Sequence, residues 1–514
     1  MILNLRAAGS SVLGGFEGLA TDGDRMVGDE ILRDSMGSLT RRLVGLVGGL
    51  TLFAGCGGNT ATTTPTTGAT ATTQTPATTQ VPATTTTTTT TAVAPADIIF
   101  FNGSVVTMEA ETPVAEALAV TGGVIIAVGS ADDVLRNQGP ATLMVDLEGR
   151  ALLPGFIDSH AHWIGDREIA GVETPQAAIA AALRDGWTSI SEQFVNQERL
   201  DELVQLDEAG ELLIRVNAYF PVNYHDDHYG VWFEGYTPRH EYSSRLRIAG
   251  TKIFIDRANP TLMLLSEPYS DQPGYFGHAS WTQEELTAMV TALHSDGWQI
   301  TIHTTGDGAH DLVLNAFAAA LDGESNDAYR HRIEHAVVLR DDQIQRMSDL
   351  GIIASIQLTW LNSDWLGDQF WGPFEAALGP DRSSWLARWR DLLDGGVKVI
   401  GGTDTPWTPA SSVEALHEAV TRIGENGAPP APWMLDQRIT IEEALRLVTI
   451  DAAYGTFDED VKGSLAPGKW ADLVILTHNP LEVGIDDLLE IDVLATIVGG
   501  GFVYCAPTLS ARCA

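Results

Sequence analysis

Five apolar segments of this chain each carry a residue able to bind a metal, and four of them carry it at their C-terminal end. The first runs Leu153-Pro154-Gly155-Phe156-Ile157-Asp158-Ser159-His160-Ala161-His162. On a strand, residues two apart point to the same face, so His160 and His162 leave one strand end as a ready pair of ligands. Arg247 to Asp256 buries Lys252 in an apolar run, Gln299 to His303 ends on histidine, Arg332 to Ala336 contains His335, and Val397 to Asp404 ends on aspartate. Helical stretches such as Gln283 to Asp296 and Asp341 to Leu350 lie between them. Strands alternating with helices predict a parallel sheet. Functional residues at successive strand ends predict an α/β fold of the (β/α)8 TIM-barrel type, whose active sites lie at the C-terminal face. Strand 2 is expected over Trp187 to Phe194, strand 3 over Leu212 to Phe220 and strand 7 over Ile352 to Gln357.

Strand patterns also flank the barrel. Residues 97–103 read as a strand and turn, and Ala117 to Gly129 as a hairpin around Gly122-Gly123. Ala471 to Leu476 and Leu494 to Tyr504 are further strands. The expected division is a β-sandwich built from both chain ends, 97–151 and 452–514, around a barrel over 152–451. No repeat of solenoid period is present.

The N-terminus reads as targeting rather than fold. Arg41-Arg42, the apolar run Leu43 to Phe53 and then Ala54-Gly55-Cys56 have the order of a secretory signal, too short for an ordinary transmembrane helix. Cysteine after Ala-Gly resembles a bacterial lipoprotein signal, which implies lipidation of Cys56; a plain secretory signal is the alternative. Residues 1–56 are then a leader, with translation starting at Met36 or Met26. Residues 57–96, rich in Thr, Ala and Pro, cannot bury a core and read as a disordered tether. An exported chain permits a disulfide between Cys505 and Cys513, with two free tail cysteines as the alternative.

Asp plus Glu number 68 against 30 Lys plus Arg, a net charge of −38, which disfavours nucleic acid and anionic membrane as partners. A small-molecule substrate is expected, with membrane contact only through the lipid anchor; a homo-oligomer is left open. The lysines are Lys252, Lys398, Lys462 and Lys469 alone. In so lysine-poor a chain, one inside an apolar strand draws attention.

Taken together, Pro154 to His162, Lys252, Ile302-His303-Thr304-Thr305-Gly306-Asp307-Gly308-Ala309, Arg332 to Ala336 and Gly402-Thr403-Asp404-Thr405-Pro406 resemble the amidohydrolase superfamily over residues 97–505. The match is strongest to the branch that includes N-substituted formamide deformylases. Thr403 stands where this branch usually has Ser, and the stretch between His162 and Lys252 is short for it. The resemblance implies that His160 and His162 bind the more buried of two metals, and His303 and His335 the second. It implies that Lys252 bridges both as a carbamate, and that Asp404 is the general base and a ligand. A lysine paired with Asp256 or another carboxylate is the alternative at 252. Glu334 and Arg332 alternate away from His335 and read as a supporting ion pair. His294 and His331 read as structural.

Substrate contacts are expected from Tyr224, His225 and His228 in the loop after strand 3, from Asp307 (or a turn-stabilising role there), and from Gln357, Trp360 and Trp407. The expected function is metal-dependent hydrolysis of a C–N bond in an N-acyl or N-formyl amide or a cyclic amide. Zinc suits the His and carboxylate donors best, at two per chain or one. The alternatives are a lactone or phosphoester substrate on the same site, or a non-catalytic metal-binding or ligand-binding surface lipoprotein.

Overall fold

The computed structural model describes residues 95–360, 371–408, 411–424 and 431–509. These fall in a compact unit spanning Thr89–Ala514. Residues 1–94, and with them Met36, Cys56 and the tether up to residue 94, lie outside the described residues, as does Cys513; the fold begins slightly earlier than expected, because Ala96 is buried and its N–H donates to Asn137 O at 2.7 Å. Cys505 is disulfide-bonded.

Eight parallel strands form one sheet in chain order: β1 Phe156–Ala161, β2 Trp187–Glu192, β3 Arg215–Pro221, β4 Leu246–Phe254, β5 Gln299–Thr304, β6 Arg332–His335, β7 Ile353–Gln357 and β8 Val399–Gly402. The strands are buried almost throughout, as a sheet covered on both faces requires. The sheet nearly closes into a barrel. Just beyond the strand ends, Asp404 N donates to His160 O at 2.8 Å and His162 N to Thr405 O at 2.8 Å, so β8 returns to β1. Gly402 makes this approach possible, because a Cβ there would stand 2.6 Å from His160 N.

Local chemistry sets the helix starts. Thr282 and Glu285 form a capping box before helix Gln283–Ser295, as do Ser411 and Glu414 before Ser412–Thr421. Asp341–Leu350 stops at Gly351, whose φ of 68° closes the end. Helices and strands share one large apolar core that includes Ile253, Ile302, Ile333, Phe317 and Leu416.

Two further sheets flank the barrel in sequence. Leu473–Leu476 pairs antiparallel with Ala151–Pro154, so both chain ends contribute to one six-stranded sheet. Ile98–Phe101, Ala117–Thr121, Val124–Gly129 and Leu143–Asp146 form a four-stranded sheet. Phe100, Leu118 and Ile125 of the latter pack in one apolar cluster with Leu152, Leu473 and Ile497 of the former. The run through Leu153 to His162 is therefore two strands: Ala151–Pro154 belongs to the six-stranded sheet, and the barrel begins at Phe156.

Candidate metal centre

Register brings two of the expected ligands, Lys252 and His303, to one face. Lys252 pairs with Thr301 and Phe254 with His303 across β4 and β5, while His303 pairs with Glu334 across β5 and β6. Lys252, His303 and Glu334 therefore all point into the barrel. Strict alternation would send His335, the next residue, outward. Its φ of 77° turns it back instead, and its ring lies 4.4 Å from that of His303 and 4.7 Å from that of His160. Asp404 also has positive φ, 63°, and Phe194 and His225 have φ of 65° and 51°. Such backbone is costly for non-glycine residues and gathers at functional sites.

His160, His335 and Asp404 form a buried group whose ligand atoms lie within 4.8 Å of one another. Asp404 Oδ1 is 3.2 Å from His160 Nε2 and 3.5 Å from His162 Nε2. Three of the imidazoles have a polar group behind them. His160 Nδ1 is 2.6 Å from Glu334 Oε2, His162 Nδ1 is 3.1 Å from Asp166 Oδ2, and His335 Nδ1 is 2.8 Å from Gln357 Oε1. The acceptors on His160 and His335 place the proton on Nδ1 and leave Nε2 free to ligate, the usual arrangement behind metal-bound histidines. Burial holds His303 and His335 well below the ordinary histidine range, so both are neutral and have lone pairs to offer.

Lys252 is fully buried, and its Nζ has no hydrogen-bond partner among the described residues. Burial lowers its pKa to about 8 against the opposing pull of Glu334 and Asp404. The alternative pairing with Asp256 does not form: that carboxylate accepts N–H groups from Thr305, Gly306 and Leu264 at 2.9, 2.8 and 3.1 Å. A buried amine and a buried imidazole nitrogen, His160 Nε2, both left without a hydrogen bond beside a carboxylate, suit a divalent cation.

Glu334 and Arg332 do form the expected ion pair, at 2.6 Å, both fully buried. They lie inside the barrel beneath the ligands, with Arg332 also donating to Ser159 O at 2.9 Å. His331 faces away, 3.0 Å from His294 Nδ1, and accepts from Ile300 N.

The expected substrate residues scatter. Gln357 orients His335, and Trp360 stacks on the same ring at 4.8 Å. Trp360 belongs to an apolar cluster with Met263, Leu265, Tyr269 and Phe374, from the segments after β4 and β7. Trp407 donates to Asp166 Oδ2 at 3.0 Å and so reaches His162 through that carboxylate. Asp307 is held by Arg340 at 2.8 Å and by Ser266, which is the turn-stabilising role. His228 is tied to Ser280 O at 2.8 Å and lies on Trp281. Tyr224 and His225 do reach the mouth, with rings 5.5 and 5.4 Å from that of Phe254.

Four supporting residues escaped the sequence reading. Phe254 stacks on His303 at 5.2 Å, and Phe194 meets Phe254 edge-on; period-two spacing from Lys252 could have found the former. Asp166 has no sequence signal beyond its position four after His162. Asp158, two before His160 on the same strand face, accepts from Thr403 N at 2.9 Å and Thr403 Oγ1 at 2.6 Å. Burial pushes its carboxyl up to about 6. Thr403 thus supplies the hydroxyl that the usual Ser would.

An eight-stranded parallel barrel whose strand ends converge on imidazoles, a carboxylate and a buried amine defines a metal-dependent hydrolase type of site. The Amidohydrolase family matches residues 166–504, well over half of the chain, and the protein belongs to that family. Protein LONG AFTER FAR-RED 3 of Arabidopsis thaliana is 24% identical over 80% of this chain and 92% of its own length. N-substituted formamide deformylase of Arthrobacter pascens is 32% identical over 50% of this chain, which spans 46% of that enzyme. Among solved structures, an uncharacterized metal-dependent hydrolase from Pyrococcus horikoshii OT3 superposes with a TM-score of 0.64 at 24% identity, over 76% of this chain and 99% of the other.

Proposed function

We propose that the protein hydrolyses the C–N bond of an N-acyl, N-formyl or cyclic amide, using two divalent metals, zinc by donor type. The observation that carries this reading is the buried convergence of His160, His335 and Asp404 beside the unpartnered Lys252 amine. The deformylase activity named for the Arthrobacter relative supports an amide substrate. His160 and His162 would hold one metal, His303 and His335 the other, and Asp404 would contribute its carboxylate. Lys252, with its pKa brought to about 8, is neutral often enough to add CO2. In that step a C–N bond would form as one C=O π bond of CO2 opens and one proton leaves the amine, and the carbamate would supply oxygen donors to the metals. When bound, the metals polarise the carbonyl and bring the pKa of water near 7. Asp404 accepts the proton of the attacking water and passes it to the leaving nitrogen. Gln357 and Glu334 keep His335 and His160 in the ligating tautomer.

A hydrolysis panel of amides, lactones and phosphoesters on zinc-loaded protein tests the bond class. No amide turnover at all would sink the reading. Lys252→Ala should lose at least one of two metals per chain, measured by elemental analysis after growth with ample metal and bicarbonate. A variant that keeps both would end the bridging role.

The enzyme is further proposed to be exported and lipid-anchored at Cys56, on the signal-like order before it. Cys56→Ser should move the protein from the detergent phase to the aqueous phase. An unmodified Cys56 on the mature chain by mass spectrometry would rule the anchor out.

A further inference from the structure

One cation at the barrel mouth is left unused by the hydrolytic site. Arg257 follows the C-terminal end of β4 and is 37% exposed. Two neighbouring loop arginines are well occupied by comparison. Arg340 binds Asp307, Asp311 and Asp342, and Arg382 donates to backbone carbonyls on two segments. Arg257 makes no hydrogen bond to a described residue, and its ion contact is a single one, to Asp226 Oδ2 at 3.8 Å. Asp226 is itself engaged, with Oδ1 2.6 Å from His278 Nε2. An exposed pair of that length contributes little to folding. The five N–H donors of the guanidinium are therefore almost unspent.

The path from Arg257 to the metal ligands is aromatic. Asp226 adjoins His225, whose ring is 4.4 Å from Tyr224 and 5.4 Å from Phe254. Phe254 then stacks on His303 with an interplanar angle of 26°. Phe194 closes this wall edge-on to both Tyr224 and Phe254. A flat apolar group laid on the wall would carry its far end from the metal ligands toward Arg257. The net charge of −38 repels anions from most of the surface, so an anionic substrate needs a local cation to dock.

We infer that Arg257 is a specificity-determining residue that binds a substrate carboxylate, so that the site takes amides with the scissile group at one end of a flat apolar body and a carboxylate at the other. The guanidinium fork matches a carboxylate in two parallel hydrogen bonds. The inference names the substrate class of the amide-hydrolase reading and rests on it.

The test compares 4-formamidobenzoate with formanilide, which differ by the carboxylate alone, on the full zinc-loaded protein. Arg257→Gln should lower the ratio of their kcat/KM values roughly 10-fold to 100-fold, the span for losing a charge-assisted hydrogen bond. Arg257→Lys should restore part of it. KM for 4-formamidobenzoate should also rise with salt, because the contact is exposed. A ratio unchanged by Arg257→Gln overturns the inference. A second arm measures calorimetric binding of 4-formamidobenzoate to Asp404→Asn protein with and without Arg257→Gln. Arg257-dependent binding in this arm, with no amide of the panel turned over by the parent protein, would sink the hydrolase reading and keep the anchor. Equal binding to both proteins, or none to either, would overturn the anchor.

Discussion

Asp404→Asn should bind metal nearly as well as the parent and lose roughly 10²–10⁴-fold in kcat, the range that general-base catalysis supplies. The substitution isolates basicity for a structural reason. Asp404 sits at φ 63° with its N–H bonded to His160 O at 2.8 Å. Asn is among the residues that tolerate this left-handed backbone. It also keeps an oxygen where Oδ1 now stands, 3.2 Å from His160 Nε2. Shape, backbone and one donor survive, and the proton acceptor does not. Steady-state kinetics on a good amide, with elemental analysis of the same sample, separate the two effects. Near-parental kcat would assign the shuttle to another group. His225 would be the first to test, since it borders Phe254 at the mouth, whereas His228 is committed to Ser280 O.

Glu334→Ala should cost about 3–5 kcal/mol of stability, the usual penalty for stranding one member of a buried ion pair. Glu334 and Arg332 are both without solvent contact and 2.6 Å apart. Removing the carboxylate leaves the guanidinium with Ser159 O as its hydrogen-bond acceptor among the described residues. His160 loses its Nδ1 partner at the same stroke, so metal affinity should fall about 10-fold to 100-fold. Denaturant unfolding of the metal-free protein reads the first effect, and metal titration the second. A stability loss under about 1 kcal/mol would show that Arg332 finds another partner.

The same carboxylate predicts an acid limb. Burial alone would raise its pKa, but Arg332, His160 and Lys252 together hold it at about 2, against an ordinary 4.5. A depressed carboxyl stabilises the fold fully above its unfolded value and progressively less as pH falls toward its folded one. The contribution should therefore fade between about pH 4.5 and pH 2. Glu334→Gln should flatten the stability profile in that window.

Much of the centre was legible because each ligand terminates or interrupts an apolar run. Strand periodicity put His160 and His162 on one face, and alternation with helices ordered the remaining segments around a barrel. Helix Asp341–Leu350 falls where its pattern predicts, and Gln283–Ser295 within one residue. What the one-dimensional pattern could not carry is the exception to period two. His335 points inward because its φ is positive, a property of the closed barrel mouth rather than of the residues Arg332 to His335. Partners brought from far along the chain were also hidden. Glu334 meets His160 across 174 residues and Thr403 meets Asp158 across 245. Trp407 and Asp307 carry chemistry suited to a pocket, yet Asp166 and Arg340 claim them. Sequence by itself determined the candidate donors and the strand ends on which they sit, because local periodicity and side-chain chemistry suffice for that. Tertiary structure decided which nitrogen of each histidine faces the site and what buries Lys252, because both depend on neighbours that only barrel closure brings into contact.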